Sequence, residues 1–388
     1  MIAPVIWVDC TKGGKPLATT MNATRAIQAL GITSRHDVFH EKMFLGGHSI
    51  GQWAGELNDA SVLLLRRIIK ETYGLDPGRN HTQDAAMQLC YLDQFNPVTD
   101  YLASLSWDRQ PRIQNWLTTY MKADDTPLTR EIGRLMLVAA VRRARHFGCK
   151  FDHIIVLEGK EGTNKSTALR VLAGDENFSD QHLLDGSDRS QQEALQGVWI
   201  HEIAELAGMR RADVERVKAF ASRQEDRARP AYARFRMDMK RRGILVATTN
   251  SDQYLMSETG NRRFWPVRTG LIDIEALARD RDQLWAEAAV QEAQGGSIML
   301  KGSLWDSATE EQNKRLVTDA WEDLIRAYTD TLAETSIADV LTSPHIGMRP
   351  DAINQVAQTR AARVLTVLGF ERVRARRGGA RVWCYQRR

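Results

Sequence analysis

The sequence predicts an α/β protein with a parallel-sheet core, a mainly helical region before it, and helices with a β-ribbon after it. Three observations carry this prediction. Between 151 and 268, short apolar runs alternate with amphipathic helical patterns, as strands covered on both faces by crossover helices require. The nonapeptide GKEGTNKST (159–167) lies between the first such run and the first such helix. Near the end, residues 372–386 alternate around Gly378–Gly379, a two-residue hairpin signal.

Residues 1–150 read as helical, with turns at KGGK, LGGHSIG and DPGRN. ASVLLLRRIIKETYG (60–74) has apolar residues at helical spacing and ends on a glycine suited to a C-cap. TREIGRLMLVAAVRRARHFG (129–148) is a second amphipathic helix, stopped by Gly148, and the acidic pair Asp124–Asp125 before it reads as capping rather than metal binding. From 151 the runs HIIVLEG, GVWIHEI, GILVATTN and RRFWPV predict buried strands. KSTALRVLAG and 212–223 predict helices between them, and 273–296 a helix after the last. We place the core at 151–300. Residues 301–388 read as helices followed by the hairpin, which is the pattern of a winged-helix module.

Composition excludes several classes. Hydrophobic content of 43% and charged content of 26% are those of a folded globular chain. No stretch approaches the length of a membrane span, and the N-terminus lacks the basic region and cleavage site of a signal peptide. The cysteines, at 10, 90, 149 and 384, form no CxxC and no zinc-ligand cluster, as expected of buried thiols in a cytoplasmic protein. Net charge is only +4, but arginines concentrate in 209–242 and 360–388, which points to a polyanionic partner.

The nonapeptide is one residue away from the phosphate-loop pattern G-x-x-x-x-G-K-[ST], because Asn164 stands where the second glycine belongs. The strand–loop–helix context is the required one, and asparagine is among the few residues that tolerate a left-handed backbone. Gly159, Gly162, Thr163, Asn164, Lys165, Ser166 and Thr167 are therefore the candidate nucleotide-binding residues. Lys165 would reach the β- and γ-phosphates, and Ser166 would bind magnesium. A hydrolase also needs an acid at a neighbouring strand end. Glu202 fills that place and would hold magnesium, and either it or Glu205 would orient water. Asn250, after GILVATT, would sit beside the γ-phosphate. Arg262 and Arg263 are candidates for an arginine offered to a neighbouring subunit's ATP, with one of the two expected in a structural ion pair. His201 reads as structural.

Taken together, KFDHIIVLEGKEGTNKSTALRVLAG, GVWIHEIAELAGMRRADVERVKAFASRQEDRARPAYAR and TTNSDQYLMSETGNRRFWPV resemble the virulence-associated E family of phage- and island-borne ATPases related to superfamily III helicases. FNPVTDYLASLSWDRQPRIQNWL and RDQLWAEA extend the resemblance to most of the chain. It implies an AAA+-like core that uses ATP and Mg2+ in a homo-oligomeric ring, a hexamer, acting on single-stranded or forked DNA. Lys165 and Ser166 match the phosphate-loop lysine and hydroxyl, Glu202 the Walker B acid and Asn250 the sensor asparagine, while one of Arg262 and Arg263 matches the finger. The family more often carries glycine at the position of Asn164. The interval before the sensor contributes a pore hairpin in the related helicases, so Arg227, Arg229, Tyr232 and Arg234 are expected to meet DNA.

In the C-terminal module, Arg360 and Arg363 on a recognition-type helix, and Arg376 and Arg377 with Arg374 and Arg381 on the wing, are the expected DNA contacts, with Trp383 in the wing's core. No zinc cluster or polymerase-like acidic set supports a primase activity, so a primase would be a separate partner. Two other readings remain: a P-loop small-molecule kinase, and an origin-binding or regulatory protein whose phosphate loop is degenerate.

Overall fold

A computed structural model describes residues 4–387 apart from 184–186, 210, 229–236, 257–259, 318 and 378–379, and without the side chains of 188, 211, 228, 237, 376, 377 and 380–382. Arg229, Tyr232, Arg234 and the Gly378–Gly379 turn thus lie outside the described residues, as do the side chains of Arg376 and Arg377. The chain forms two compact units, Met1–Arg315 and Leu316–Arg388.

The first unit begins with α1 (Thr20–Ala29), β1 (Thr33–Asp37), β2 (Lys42–Gly46), β3 (Gly55–Glu56), α2 (Asp59–Tyr73), α3 (Arg79–Leu92) and β4 (Gln94–Phe95). The sequence predicts α2, and its ends show why. Asn58 and Ser61 form a reciprocal capping box, and Gly74 closes the helix at φ 70°. The four-stranded sheet β3-β2-β1-β4 was not anticipated. Its central strand reads TSRHD and buries Ser34, His36 and Asp37, so no apolar alternation marks it. Helices α1–α3 supply the apolar contacts instead, through Ala26, Ile27, Leu65, Ile69 and Ala85.

Then follow α4 (Pro97–Ser104), α5 (Trp116–Met121) and α6 (Pro127–Arg145). The cap of α6 is Thr126, whose hydroxyl accepts from the Thr129 amide at 3.0 Å. Asp125 instead pairs with Arg130 at 2.6 Å, so the acidic pair supplies no cap. The helix ends at Arg145, ahead of Gly148, and is buried on nearly all sides.

The core comprises β5 (Ile154–Glu158), α7 (Lys165–Ala173), β6 (Phe178–Ser179), α8 (Asp188–Leu195), β7 (Ile200–Ile203), α9 (Arg211–Ala221), β8 (Glu225–Ala228), β9 (Met237–Lys240), β10 (Ile244–Thr249), β11 (Phe264–Arg268), α10 (Ile274–Ala293) and α11 (Trp305–Lys314). Its sheet has the order β11-β5-β10-β7-β6, and every pairing is parallel. Strands β5, β7 and β10 are buried at every residue, which explains the apolar runs of β5 and β10, while β7 buries His201 and Glu202 between two isoleucines. Helices α6 and α10 cover the sheet. Trp199 stacks on Trp285 at 4.1 Å and donates its indole N–H to the Ala140 carbonyl. Strands β8 and β9 form a separate antiparallel ribbon at the base of the expected pore hairpin. Helix α11 belongs to this unit and not to the C-terminal module, because Ala308 and Gln312 are buried and Gln312 bonds the Phe264 carbonyl of β11.

The second unit holds α12 (Glu322–Thr329), β12 (Glu334–Thr335), α13 (Ile337–Thr342), α14 (Gln355–Val367), β13 (Phe370–Arg377) and β14 (Ala380–Arg387). Its sheet, β12-β14-β13, is antiparallel, and its core gathers Ile325, Leu341, Val364, Leu365, Phe370 and Tyr385. Arg360 and Arg363 both pair with Asp319, at 2.7 and 3.1 Å, and Arg360 lies over the Trp321 ring. One expectation is corrected here: Trp383 is 48% exposed and is not core. Among the described residues no helix is long and apolar enough to cross a membrane.

Candidate nucleotide site

The parallel sheet brings three strand ends to one edge: the loop after β5, the acid on β7 and the amide after β10. Ligand sites of open α/β sheets form at this carboxyl edge. The loop leaves β5 at Gly159, whose amide donates to the Thr249 carbonyl of β10. A Cβ there would stand 2.8 Å from the Thr269 hydroxyl, so this position admits only glycine. Asn164 adopts φ 69°, ψ 26° at the N-cap of α7, and its side chain makes no capping bond. The asparagine thus holds the left-handed backbone that glycine would otherwise supply.

Lys165, the first residue of α7, is 7% exposed. Its Nζ donates to the carbonyls of Gly159 at 2.7 Å and Lys160 at 2.8 Å, with longer contacts of 3.4 Å to Thr163 Oγ1 and Asn250 Oδ1. Burial pushes its pKa down, against the pull of Glu202 and Glu161. Ser166 donates its hydroxyl to Glu202 Oε1 at 2.8 Å, and Thr248 donates to the same oxygen at 2.6 Å. Glu202 is 2% exposed, and its Oε2 has no hydrogen-bond partner among the described residues. These groups line a cleft of about 390 Å³ together with Gly162, Thr163, Thr167, Glu205 and Asn250. Glu205 also has a left-handed backbone, φ 53°.

The arginine pair does not line this cleft. Arg263 donates to the Ser222 hydroxyl at 3.0 Å and lies 3.7 Å from Asp152, so it is held by its own chain. Arg262, beside it on the turn Asn261–Arg263, is exposed. Arg227 lies on β8 and pairs with Glu225 and Asp238, at 2.6 and 3.3 Å.

Two features escaped sequence reasoning. Thr248 had no motif to flag it. Glu158, the residue before the loop, is buried and accepts from Arg315 Nε and Nη2, at 2.7 and 2.8 Å, and from the Tyr254 hydroxyl at 2.7 Å. Burial and the adjacent Glu158 carboxylate push the Tyr254 pKa well up, so it stays a donor. A lone acid ending an apolar strand was the available signal, but its partner lies 157 residues away. On the other face of β7, His201 is 1% exposed, and burial pushes its pKa down to about 4.

The fold is similar to solved structures of the C-terminal region of NrS-1. The apo structure of its residues 305–718 aligns at a TM-score of 0.52 and 13% identity, over 94% of this chain and 98% of that one. An A form apo structure of the same region aligns at 0.52 and 13%, over 95% and 99%. At this identity the likeness concerns the fold alone. No relative was found among curated proteins. The model of the virulence-associated protein E-like domain matches residues 102–317, more than half of the chain, and spans the loop, the acid, the asparagine and the arginine pair. The chain belongs to the virulence-associated protein E-like family.

Proposed function

We propose that this protein is a magnesium-requiring, DNA-dependent ATPase of phage or mobile-element replication, acting as a helicase-like homo-oligomeric ring, a hexamer by family resemblance. The observation that carries this reading is the 2.8 Å bond between Ser166 and Glu202 at the mouth of a phosphate loop. It joins the hydroxyl and the acid that phosphoryl transfer uses, with Lys165 and Asn250 on the same cleft. The family match supports a place in mobile-element replication, and the AAA+-like and winged-helix-like descriptions of the two units belong to the same proposal.

The residues fit magnesium: a hydroxyl and a buried carboxylate with one bare oxygen are hard donors. When bound, the ion would neutralise charge on the phosphates. In this mechanism the amides after Gly159 and the N-terminus of α7 bind phosphate oxygens. Lys165 exchanges its bonds to the loop carbonyls for bonds to the β- and γ-phosphates. Glu205 or Glu202 accepts a proton from the attacking water, and Asn250 positions that water. The exposed Arg262 reaches the neighbouring subunit's ATP, while Arg263 holds the turn.

Phosphate release with and without single-stranded DNA, for wild type and Lys165→Ala, tests this reading. DNA-stimulated release that Lys165→Ala abolishes is expected. No release by wild type with any DNA would point to a degenerate loop, and release indifferent to DNA would point to a kinase-like enzyme.

A further inference from the structure

The β13–β14 ribbon of the second unit gathers side chains that helix α14 does not offer. Its register places Arg374 opposite Trp383 and Arg372 opposite Tyr385, so Arg372, Arg374, Trp383 and Tyr385 share one face. At the root of that face Phe370 and Tyr385 are buried in the core. Farther out the face leaves the core, and Trp383 stands 48% exposed.

The guanidinium carbons of Arg372 and Arg374 lie 4.2 and 4.8 Å from the centroid of the Trp383 ring. Both arginines are exposed, and neither has an ion-pair partner among the described residues, in contrast to Arg360, Arg363 and Arg227. A tryptophan face attracts cations without neutralising them and leaves the N–H edges of a stacked guanidinium free to donate. Two like charges on alternate residues of one strand, held by one ring and lacking a counter-ion, are arranged for an anion from outside. The sequence of the two strands adds Arg376, Arg377 and Arg381 and holds a single acid, Glu371. So basic a ribbon calls for a repeating polyanion more than for a single phosphate or carboxylate.

We propose that the face formed by Arg372, Arg374 and Trp383 binds the phosphate backbone of DNA. The inference rests on the reading that this protein works on DNA, but it needs neither nucleotide binding nor hydrolysis. Of the two surfaces expected to meet DNA in the second unit, it favours the ribbon over α14 and adds Arg372 and Trp383 to it.

The test measures anisotropy of fluorescein-labelled single-stranded and duplex oligonucleotides with the full chain, without nucleotide, over a series of salt concentrations. Arg372→Glu/Arg374→Glu is expected to weaken binding at least about tenfold. It should also lower the slope of log affinity against log salt by about two for duplex, or about 1.4 for single strands. Trp383→Ala should weaken binding about threefold through loss of the ring–guanidinium contacts, and Trp383→Phe should retain most of the affinity. Hydrolysis without DNA should be unchanged in all three. An unchanged affinity and salt slope in the double variant would overturn the proposal, as would equal displacement of DNA by polyglutamate of matched charge. If the double variant loses DNA binding while wild type hydrolyses no ATP, this proposal stands and the ATPase reading falls. If wild type shows DNA-stimulated hydrolysis and the double variant binds DNA as wild type does, the ATPase reading stands and this proposal falls.

Discussion

The Ser166 hydroxyl and the Glu202 carboxylate, 36 residues apart in the chain, meet at 2.8 Å across the parallel edge of the core sheet. The contact joins two motifs that the sequence could only place side by side. It leaves Glu202 Oε2 bare and buried beside the phosphate loop. A buried carboxylate oxygen without a partner among the described residues is costly unless a ligand completes it, which the proposed metal-nucleotide site would do.

Asn164 is expected to be a backbone choice. Because it sits at φ 69° with no capping bond, Asn164→Gly should leave the melting temperature nearly unchanged. Asn164→Ala should destabilise by about 1 kcal/mol, the usual cost of a left-handed β-carbon. Thermal unfolding of the two variants checks this, and equal destabilisation by both would show that the amide itself matters.

The two adjacent arginines should separate by phenotype. Arg263→Ala removes the bond to Ser222 and should cost about 1 kcal/mol of stability. Arg262→Ala should leave unfolding unchanged and reduce hydrolysis about 1,000-fold. Mixing Arg262→Ala with Lys165→Ala should restore activity, since mixed rings contain interfaces with one intact lysine and one intact arginine. Failure to complement would argue against a site shared between subunits.

Breaking the buried ion pair under the loop should be among the most damaging changes. Arg315→Met strands the buried Glu158 carboxylate and should cost about 3–5 kcal/mol, whereas Glu158→Gln leaves Arg315 its pair with Glu311 and should cost less. The double replacement should recover much of that loss. Unfolding of the two single variants and the double variant measures the coupling.

His201 should make stability fall in mild acid. Its folded pKa of about 4 lies below the ordinary value of 6.5, so between these values the unfolded chain takes up a proton that the folded chain refuses. Stability from this group is complete above pH 6.5 and declines by about 1.4 kcal/mol per pH unit as pH falls toward 4. His201→Phe should flatten that part of the profile. Parallel profiles for wild type and variant would mean that His201 does not titrate abnormally.

How much was legible in the sequence follows from burial. Strands β5, β10 and β11 are sandwiched between helices, so their positions had to be apolar and the runs stood out. Strand β1 buries polar residues, with His36 bonded to Glu41 and Asp37 to His40, and gave no hydropathy signal, and β6, only two residues long, had no pattern to show. The loop, acid and asparagine were readable because each sits within a residue or two of a strand end. The partner of Glu158 was not, since Arg315 is brought to it only by the packing of α11. The arginine-rich end was readable as basic, but the sequence did not show which arginines Asp319 would occupy or that Trp383 would face outward.

The most direct measurement compares Mg-ATP binding and phosphate release in Glu202→Gln. If Glu202 completes the site with Ser166, the variant should bind nucleotide within about tenfold of wild type and lose turnover by about 100-fold or more. Turnover equal to that of wild type, with nucleotide still bound, would contradict the assignment of Glu202 and the account built on it.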